Sequence, residues 1–87
     1  MNNIKIVKLY ADWCAPCKIL HKMMSDNNIE FENIDVATEK GIELSSRHNI
    51  KNIPAILIFD DNGKFLRKKI GLPRDIKELN NFLYEIN

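Results

Sequence analysis

The residues best suited to chemistry in this sequence are its only two cysteines, Cys14 and Cys17, which are separated by two residues. Disulfide exchange needs one thiolate that attacks and a second thiol that resolves the mixed disulfide. A spacing of two residues places both sulfurs within bonding reach on one helical turn. The pair therefore predicts a redox-active dithiol.

The segments around the cysteines predict a strand followed by a helix. Residues 4–10 are rich in β-branched and aromatic side chains, which favour a strand, and Pro16 is tolerated in a first helical turn. The free N–H groups and the positive dipole end of such a helix would lower the pKa of Cys14 below the roughly 8.5 of free cysteine. We therefore predict that Cys14 is the nucleophile and Cys17 the resolving thiol.

Two other uses of the cysteines are less well supported. A zinc site needs about four ligands, and His21, four residues after Cys17, would supply only a third. A static structural disulfide across so small a loop would contribute little chain-entropy stabilisation. In a reducing cytosol, closely spaced cysteines are more often catalytic or metal-binding than structural. We predict no metal site.

Length and composition limit the class of protein. The 87 residues predict one domain over residues 1–87, and a hydrophobic content of 45% allows a core. The net charge of +1 gives no reason to expect a nucleic acid or an anionic membrane as partner. The longest apolar run, residues 53–59, is far shorter than the roughly 20 residues of a membrane span, and residues 1–5 lack a secretory hydrophobic region. We expect a soluble, cytoplasmic protein.

The hydrophobic pattern predicts the element order βαβαββα. Strands are expected over residues 4–10, 29–36, 55–59 and 64–70, and helices over residues 15–26 and 39–48 and from Pro73 onwards. The first two strands should be parallel, since a helix connects them. The unbroken apolar run of the third strand predicts burial on both faces.

Particular residues should bound or face these elements. Thr38 is predicted to be the N-cap of the second helix, in which Ile42 and Leu44 should partly face the sheet. Residues 61–63 tolerate positive φ and predict a hairpin turn. The wide apolar face of the first helix comprises Cys17, Ile19, Leu20, Met23 and Met24. The face of the last helix, with Asp75 in its first turn, comprises Ile76, Leu79, Leu83 and Ile86.

Two separate motifs resemble the thioredoxin family. Residues 13–18 (WCAPCK) are similar to its Trp-Cys-Gly-Pro-Cys-Lys signature, with Ala15 in place of the glycine. Residues 52–59 (NIPAILIF) resemble the segment in which a cis-proline precedes a central strand, and residues 61–64 and Gly71 resemble its hairpin and late glycine. The resemblance covers nearly the whole chain. It implies an α/β thioredoxin fold in a minimal βαβαββα form, with a four-stranded mixed sheet flanked by helices.

This resemblance also implies an activity. A thioredoxin-like protein reduces protein disulfides through a redox-active disulfide, here Cys14–Cys17, with no bound cofactor, and takes part in electron transport and cell redox homeostasis. Its expected partners are disulfide-containing proteins and an electron donor, either a flavoprotein reductase that uses NADPH or glutathione, and we expect a monomer. Two alternatives stay open: a glutathione-linked, glutaredoxin-like reductase, and a non-catalytic binding module with an idle dithiol.

The resemblance implies a substrate site beside the dithiol. Trp13 would cover the dithiol and touch the substrate, and a cis bond at Pro54 would set the backbone of Ile53 beside the sulfurs, where an extended substrate could pair as an added strand. A side chain at Gly71 would narrow the same groove. His21 is expected to be a solvated helix residue. The predicted substrate-binding residues are Trp13, Ala15, Pro16, Ile53, Pro54 and Gly71.

Lys8 departs from the family pattern, because thioredoxins carry a buried aspartate six residues before the first cysteine. In one interpretation its stem packs in the core and its ammonium group reaches solvent. In the other, the ammonium group lies near the sulfurs, stabilises a thiolate and exchanges a proton with Cys17. Lys8 is therefore a candidate proton-transfer residue.

Overall fold

The computed structural model describes residues 3–84. The elements in chain order are β1 (Ile4–Tyr10), α1 (Ala15–Asp26), β2 (Glu32–Asp35), α2 (Glu39–Arg47), β3 (Ala55–Asp60), β4 (Phe65–Ile70) and α3 (Ile76–Tyr84). This is the predicted order βαβαββα, and the first helix has the predicted bounds.

The four strands form one mixed sheet in the order β2-β1-β3-β4. β1 and β2 are parallel, as expected for strands joined by a helix, whereas β1–β3 and β3–β4 are antiparallel. Leu9, near the end of β1, pairs with Ala55 at the start of β3. The segment that follows β1 and the segment that precedes β3 therefore meet at the same edge of the sheet.

The side chains of β3 alternate between two cores, which confirms that this strand is covered on both faces. Ile56 and Ile58 pack with residues of α1 and α3, and Ala55 and Leu57 pack on the other face, where Leu44 of α2 joins them. Met24 is buried in the first of these cores and Met23 packs against it, as predicted.

Several element bounds differ from the prediction. β2 is limited to Glu32–Asp35, because Ile29 packs in the core before the strand begins and is not paired with β1. The last helix begins at Ile76 and not at Pro73, since Pro73 is buried in the preceding loop. The Asp75 carboxylate instead lies before the helix and accepts a 2.9 Å hydrogen bond from the N–H of Glu78. The predicted core position Ile86 lies outside the described residues.

Two predicted core positions are wrong. Ile19 is 54% exposed and Ile42 is 58% exposed. In α2 the face toward β2 is formed by Gly41, where a Cβ atom would overlap the backbone of Asp35. This close approach rotates Ile42 outward and leaves Leu44 as the partly buried residue. Thr38 caps the helix as predicted, because its Oγ1 accepts a hydrogen bond of 3.1 Å from the N–H of Gly41.

Candidate active site

The two cysteines lie where β1 ends and α1 begins. This is the end of the sheet at which β3 starts. Cys14 is the N-cap residue of α1 and has an extended backbone, and Cys17 lies in the first turn. The two residues form a disulfide, with Cα atoms 5.3 Å apart. The sequence prediction of a dithiol at a strand-to-helix junction is confirmed in position and spacing.

The sulfur of Cys14 is held by the start of the helix. The backbone N–H of Cys17 donates a hydrogen bond of 3.2 Å to Sγ of Cys14. This N–H is one of the groups that have no partner within the helix, and it belongs to the positive end of the helix dipole. The first turn contains no acidic side chain that would offset this field. The helix start therefore favours negative charge on the sulfur of Cys14.

Both sulfurs are largely shielded by the protein. The exposed fractions are 4% for Cys14 and 1% for Cys17, and both pack with Ala11. Tyr10, Val36 and Ile53 pack against the same cluster. A partner molecule therefore approaches the disulfide over a surface formed by other residues.

One such surface is a groove between Trp13 and the loop that precedes β3. The Ile53–Pro54 peptide bond is cis, as the resemblance implied, and Ile53 packs against the cluster of Ala11, Cys14 and Cys17. Trp13 is 80% exposed on the opposite side. The groove has a volume of about 350 Å³ and is lined by Trp13, Val36, Ser45, Ile50, Lys51, Asn52 and Ile53. We call it the Trp13–Ile53 groove.

The other predicted substrate-binding residues differ in exposure and in backbone geometry. Ala15 and Pro16 are exposed in the first turn of α1. The ring of Pro54 is buried, but its carbonyl oxygen accepts a hydrogen bond of 2.8 Å from the N–H of Gly71. Gly71 has a φ of +93°, and a Cβ atom there would meet no protein atom within 4 Å. The backbone conformation therefore accounts for glycine at this position.

Lys8 is buried, with 1% of its surface exposed. Its Nζ lies 5.3 Å from the ring centroid of Tyr10 and 5.7 Å from that of Phe31, both within the range of cation–π contacts. Burial lowers the pKa of Lys8 from 10.5 to about 8, because a charged amine loses hydration in the interior. Among residues 3–84, no carboxylate forms an ion pair with Lys8.

Lys8 and Cys17 line the same small cleft on the side of the disulfide away from Ile53. We call it the Lys8 cleft. Its volume is about 170 Å³, and its walls are Lys8, Tyr10, Ala11, Asp12, Cys17, Lys18, His21 and Asn33. His21 is exposed, and its ring meets the ring of Phe31 edge-on at a centroid distance of 5.4 Å. The structure therefore places the buried Lys8 and the predicted resolving cysteine at one cleft.

Sequence reasoning missed one wall of the Trp13–Ile53 groove and one wall of the Lys8 cleft. Val36 and Ile50 are distant from the cysteines in sequence, and the only local signal was that Ile50 shortly precedes Pro54. Asn33 enters the cleft because β2 pairs with β1 and sets Asn33 opposite Lys8. Such contacts follow from sheet register and not from any local motif.

Metal-binding clusters and membrane-spanning helices are both absent from residues 3–84. No group of three or more histidine, cysteine, aspartate or glutamate side chains is arranged to hold a metal ion there. Nor does that part of the chain contain a helix with the length and apolar character needed to cross a membrane.

The site combines a disulfide at the start of a helix, a nearby cis-proline and a mixed four-stranded sheet. These features define the class of thiol-disulfide oxidoreductases. The family model for thioredoxin matches residues 1–85. The thioredoxin of Mycoplasmoides gallisepticum is 35% identical over 83 residues, which cover 90% of this chain and 82% of that protein. The chain belongs to the thioredoxin family, and this membership with its CxxC pair gives it protein-disulfide reductase activity.

Two further similarities bear on length and fold. The SPbeta prophage-derived thioredoxin-like protein YosR of Bacillus subtilis is 29% identical over 77 residues, which cover 87% of this chain and 94% of that protein. The crystal structure of the reduced Schistosoma mansoni thioredoxin pre-protein superposes with a TM-score of 0.77 at 22% identity, covering 99% of this chain and 81% of the other. This structural match supports the thioredoxin fold.

Proposed function

We propose that Cys14 is the attacking thiolate and Cys17 the resolving thiol in the reduction of protein disulfides. The observation that carries this assignment is the hydrogen bond from the N–H of Cys17 to Sγ of Cys14. It makes Cys14 the sulfur that the helix start stabilises as an anion, and a stabilised thiolate is the form that attacks. Cys17 is the more buried residue of the two, and its thiol needs to reach only Cys14.

The proposed reaction transfers two electrons to the substrate. The Cys14 thiolate attacks one sulfur of the substrate disulfide, which breaks and releases the first substrate thiolate. The Cys17 thiolate then attacks Sγ of Cys14, which forms the Cys14–Cys17 disulfide and releases the second substrate thiolate. The two released thiolates take up protons from solvent according to their pKa values. An electron donor then reduces Cys14–Cys17 again.

We propose that an extended segment of the substrate lies in the Trp13–Ile53 groove. The exposed Trp13 offers a large aromatic surface, and Ile53 packs against the cluster that contains both cysteines. A segment between Trp13 and Ile53 would therefore bring its sulfur toward Cys14. Ala15 and Pro16 would contact the substrate from the first helical turn. The backbone of Pro54 and Gly71 would form the remaining part of the substrate site.

The electron donor that we propose is a flavoprotein reductase using NADPH, because the curated relatives are named thioredoxins. Glutathione is the alternative donor. We further propose that the protein works in the cytoplasm as a monomer, with a role in electron transport and redox homeostasis. Each catalytic step needs only the two cysteines of one chain, and no bound cofactor enters it.

The donor assignment is tested by supplying the oxidised protein with each donor system in turn and following reduction of a protein disulfide such as that of insulin. We expect sustained turnover with thioredoxin reductase and NADPH, and slower turnover with glutathione, glutathione reductase and NADPH. A protein carrying both Cys14→Ser and Cys17→Ser is the control. Sustained turnover with glutathione alone would replace the donor assignment, and no turnover with either would support the binding module.

The direction of the reaction is tested by the reduction potential. Thioredoxins lie near −270 mV and glutaredoxins at roughly −200 to −230 mV, whereas the strong oxidant DsbA lies near −120 mV. We expect a value of roughly −270 to −200 mV for Cys14–Cys17 on equilibration with glutathione or dithiothreitol buffers. A value near that of DsbA would contradict the assignment as a reductant.

A further inference from the structure

Lys8 is a buried cation for which the described part of the chain provides no counter-ion. Its ammonium group faces the rings of Tyr10 and Phe31, and these contacts offset only part of the lost hydration. With its pKa lowered to about 8, the amine still carries its proton in most molecules at pH 7. The oxidised protein therefore holds a buried positive charge at a cleft that Cys17 of the neutral disulfide also lines.

Among the described residues that line the cleft, Cys17 is the one whose bonds change in the redox reaction. Lys8 of β1 and Cys17 of α1 both line this cleft, whose volume of about 170 Å³ has room for roughly six water molecules. Reduction breaks the S–S bond and creates an ionisable thiol at this wall. The reaction thus supplies the negative charge that the folded chain lacks.

We propose that the counter-ion of Lys8 is the Cys17 thiolate, which forms when the disulfide is reduced, so that Lys8 holds the resolving cysteine in its reactive form. This inference rests on the proposed function, in which Cys17 resolves the mixed disulfide. The positive charge of Lys8 favours the thiolate form of Cys17, whereas a buried carboxylate would favour the neutral thiol.

The proton balance of this step is simple. In most molecules at pH 7 Lys8 already carries its proton, so the Cys17 proton leaves through water in the cleft to solvent. In the minority of molecules in which Lys8 is neutral, the Cys17 proton passes to Lys8. Both routes leave a Cys17 thiolate and a Lys8 ammonium group at the cleft. When the thiolate attacks Sγ of Cys14, it forms the S–S bond and its negative charge leaves with the substrate sulfur. Lys8 is then again a cation without a counter-ion, and its proton is more easily released through the cleft to the leaving thiolate or to solvent.

Other polar groups face the cleft from each surrounding element. They are Tyr10 of β1, Asp12 of the following loop, Lys18 and His21 of α1, and Asn33 of β2. Asp12 is exposed and forms no ion pair with Lys8, and the exposed Lys18 carries the opposite charge on the same rim. Their fields are screened by solvent, whereas the Lys8–Cys17 interaction lies in the protein interior.

The first test uses the wild-type protein and titrates Lys8 by NMR of its Cε–Nζ group in the oxidised and the reduced forms. We expect a pKa near 8 in the oxidised form and a value higher by at least about one unit in the reduced form. Linkage requires that each group shift the pKa of the other by the same amount. A Lys8 pKa that is the same in both forms would overturn the proposal.

The second test titrates Cys17 in the Cys14→Ser background, with Lys8→Met compared with Lys18→Met. Both substitutions remove one positive charge at the same cleft, but only Lys8 is buried. We expect Lys8→Met to raise the pKa of Cys17 by about one unit or more, and Lys18→Met to raise it much less. Equal shifts from the two variants, or none from Lys8→Met, would overturn the proposal.

A kinetic measurement connects this interaction to the reaction. In the Lys8→Met single variant, resolution of the mixed disulfide at pH 7 should slow by about three- to tenfold, since fewer Cys17 groups are ionised but each thiolate is more nucleophilic. Formation of the mixed disulfide should change less. If Lys8→Met does not fold, the wild-type titration decides alone.

The two proposals fail in different ways. Loss of turnover with both donors in the wild-type protein would remove the proposed function. The pKa of Lys8 could still be measured in the oxidised and the reduced forms. Normal turnover, together with a Lys8 pKa that does not depend on the redox state, would remove only the inference about Lys8.

Discussion

The backbone N–H of Gly71 donates a hydrogen bond of 2.8 Å to the carbonyl oxygen of Pro54. This bond extends the β3–β4 pairing by one step beyond Ala55 and Ile70, the last paired residues of the ladder. It ties the end of the edge strand to the segment that packs on the disulfide. Because Gly71 has a φ of +93°, the chain can turn away directly after this contact.

Gly71→Ala should separate the backbone role of this residue from its place beside the groove. We expect the free energy of unfolding to fall by about 1–3 kcal/mol, since a Cβ atom is unfavourable at this φ although no protein atom obstructs it. Urea denaturation of the oxidised protein measures the change. If the substrate passes this position, KM for a protein disulfide should also rise.

Gly63→Ala is the matched control for that variant. Gly63 has a φ of +85°, its added Cβ atom also meets no protein atom within 4 Å, and it lies in the β3–β4 hairpin at the other end of the ladder. It should lose similar stability without a change in KM. A similar rise in KM in both variants would show that Gly71 has no particular contact with substrate.

The two cysteines should differ in what their substitution leaves behind. We expect Cys14→Ser to abolish disulfide reduction and Cys17→Ser to accumulate a mixed disulfide with the substrate, because only the first thiol attacks and only the second resolves. Intact-mass analysis after incubation with a disulfide substrate detects the adduct. An adduct on Cys14→Ser but not on Cys17→Ser would reverse the two roles.

The burial of Lys8 should make the stability of the oxidised protein depend on pH. Below pH 8 Lys8 is protonated in both the folded and unfolded states, so the unfavourable burial of its charge is fully present. Between about pH 8 and 10.5 the folded state releases the proton before the unfolded state does, so stability rises with pH. This contribution is absent from Lys8→Met.

Lys8→Met should therefore be more stable than the wild-type protein at pH 7, by something on the order of 2–3 kcal/mol, and the difference should shrink by pH 10. Denaturant titrations at several pH values measure it. Lys5→Met is the control, because Lys5 lies on the same strand but is exposed and paired with Glu32. A constant difference from pH 7 to pH 10 would show that the Lys8 charge is well solvated.

Gly41→Ala should destabilise the protein although alanine is the better helix former by about 1 kcal/mol. The added Cβ atom would overlap the backbone of Asp35 and Val36, which cannot move without disturbing the end of β2. We expect a net loss of about 1–3 kcal/mol in denaturant unfolding. Ser46→Ala, at an exposed position of the same helix, should change stability by less than about 0.5 kcal/mol. Equal effects would indicate that α2 can shift away from β2.

Much of the fold could be predicted because its signals are local. The bounds of α1 follow from Pro16 and the apolar spacing of Cys17, Leu20 and Met24, which are buried in the structure. The buried strand β3 follows from its unbroken apolar run. The start of α3 was less predictable, because both Pro73 and Asp75 are typical of a helix start and only packing decides which residue begins it.

The sequence by itself determined the chemistry of the site: two cysteines two residues apart at the start of a helix, with one sulfur exposed to the field of the first turn. These features depend on spacing and on backbone hydrogen bonds within a few residues. The tertiary structure alone decided the environment of that pair. Sheet register and helix packing bring together residues that are distant in sequence. They decided whether Lys8 reached solvent or remained buried at the cleft with Cys17, and which residues formed the groove around Trp13.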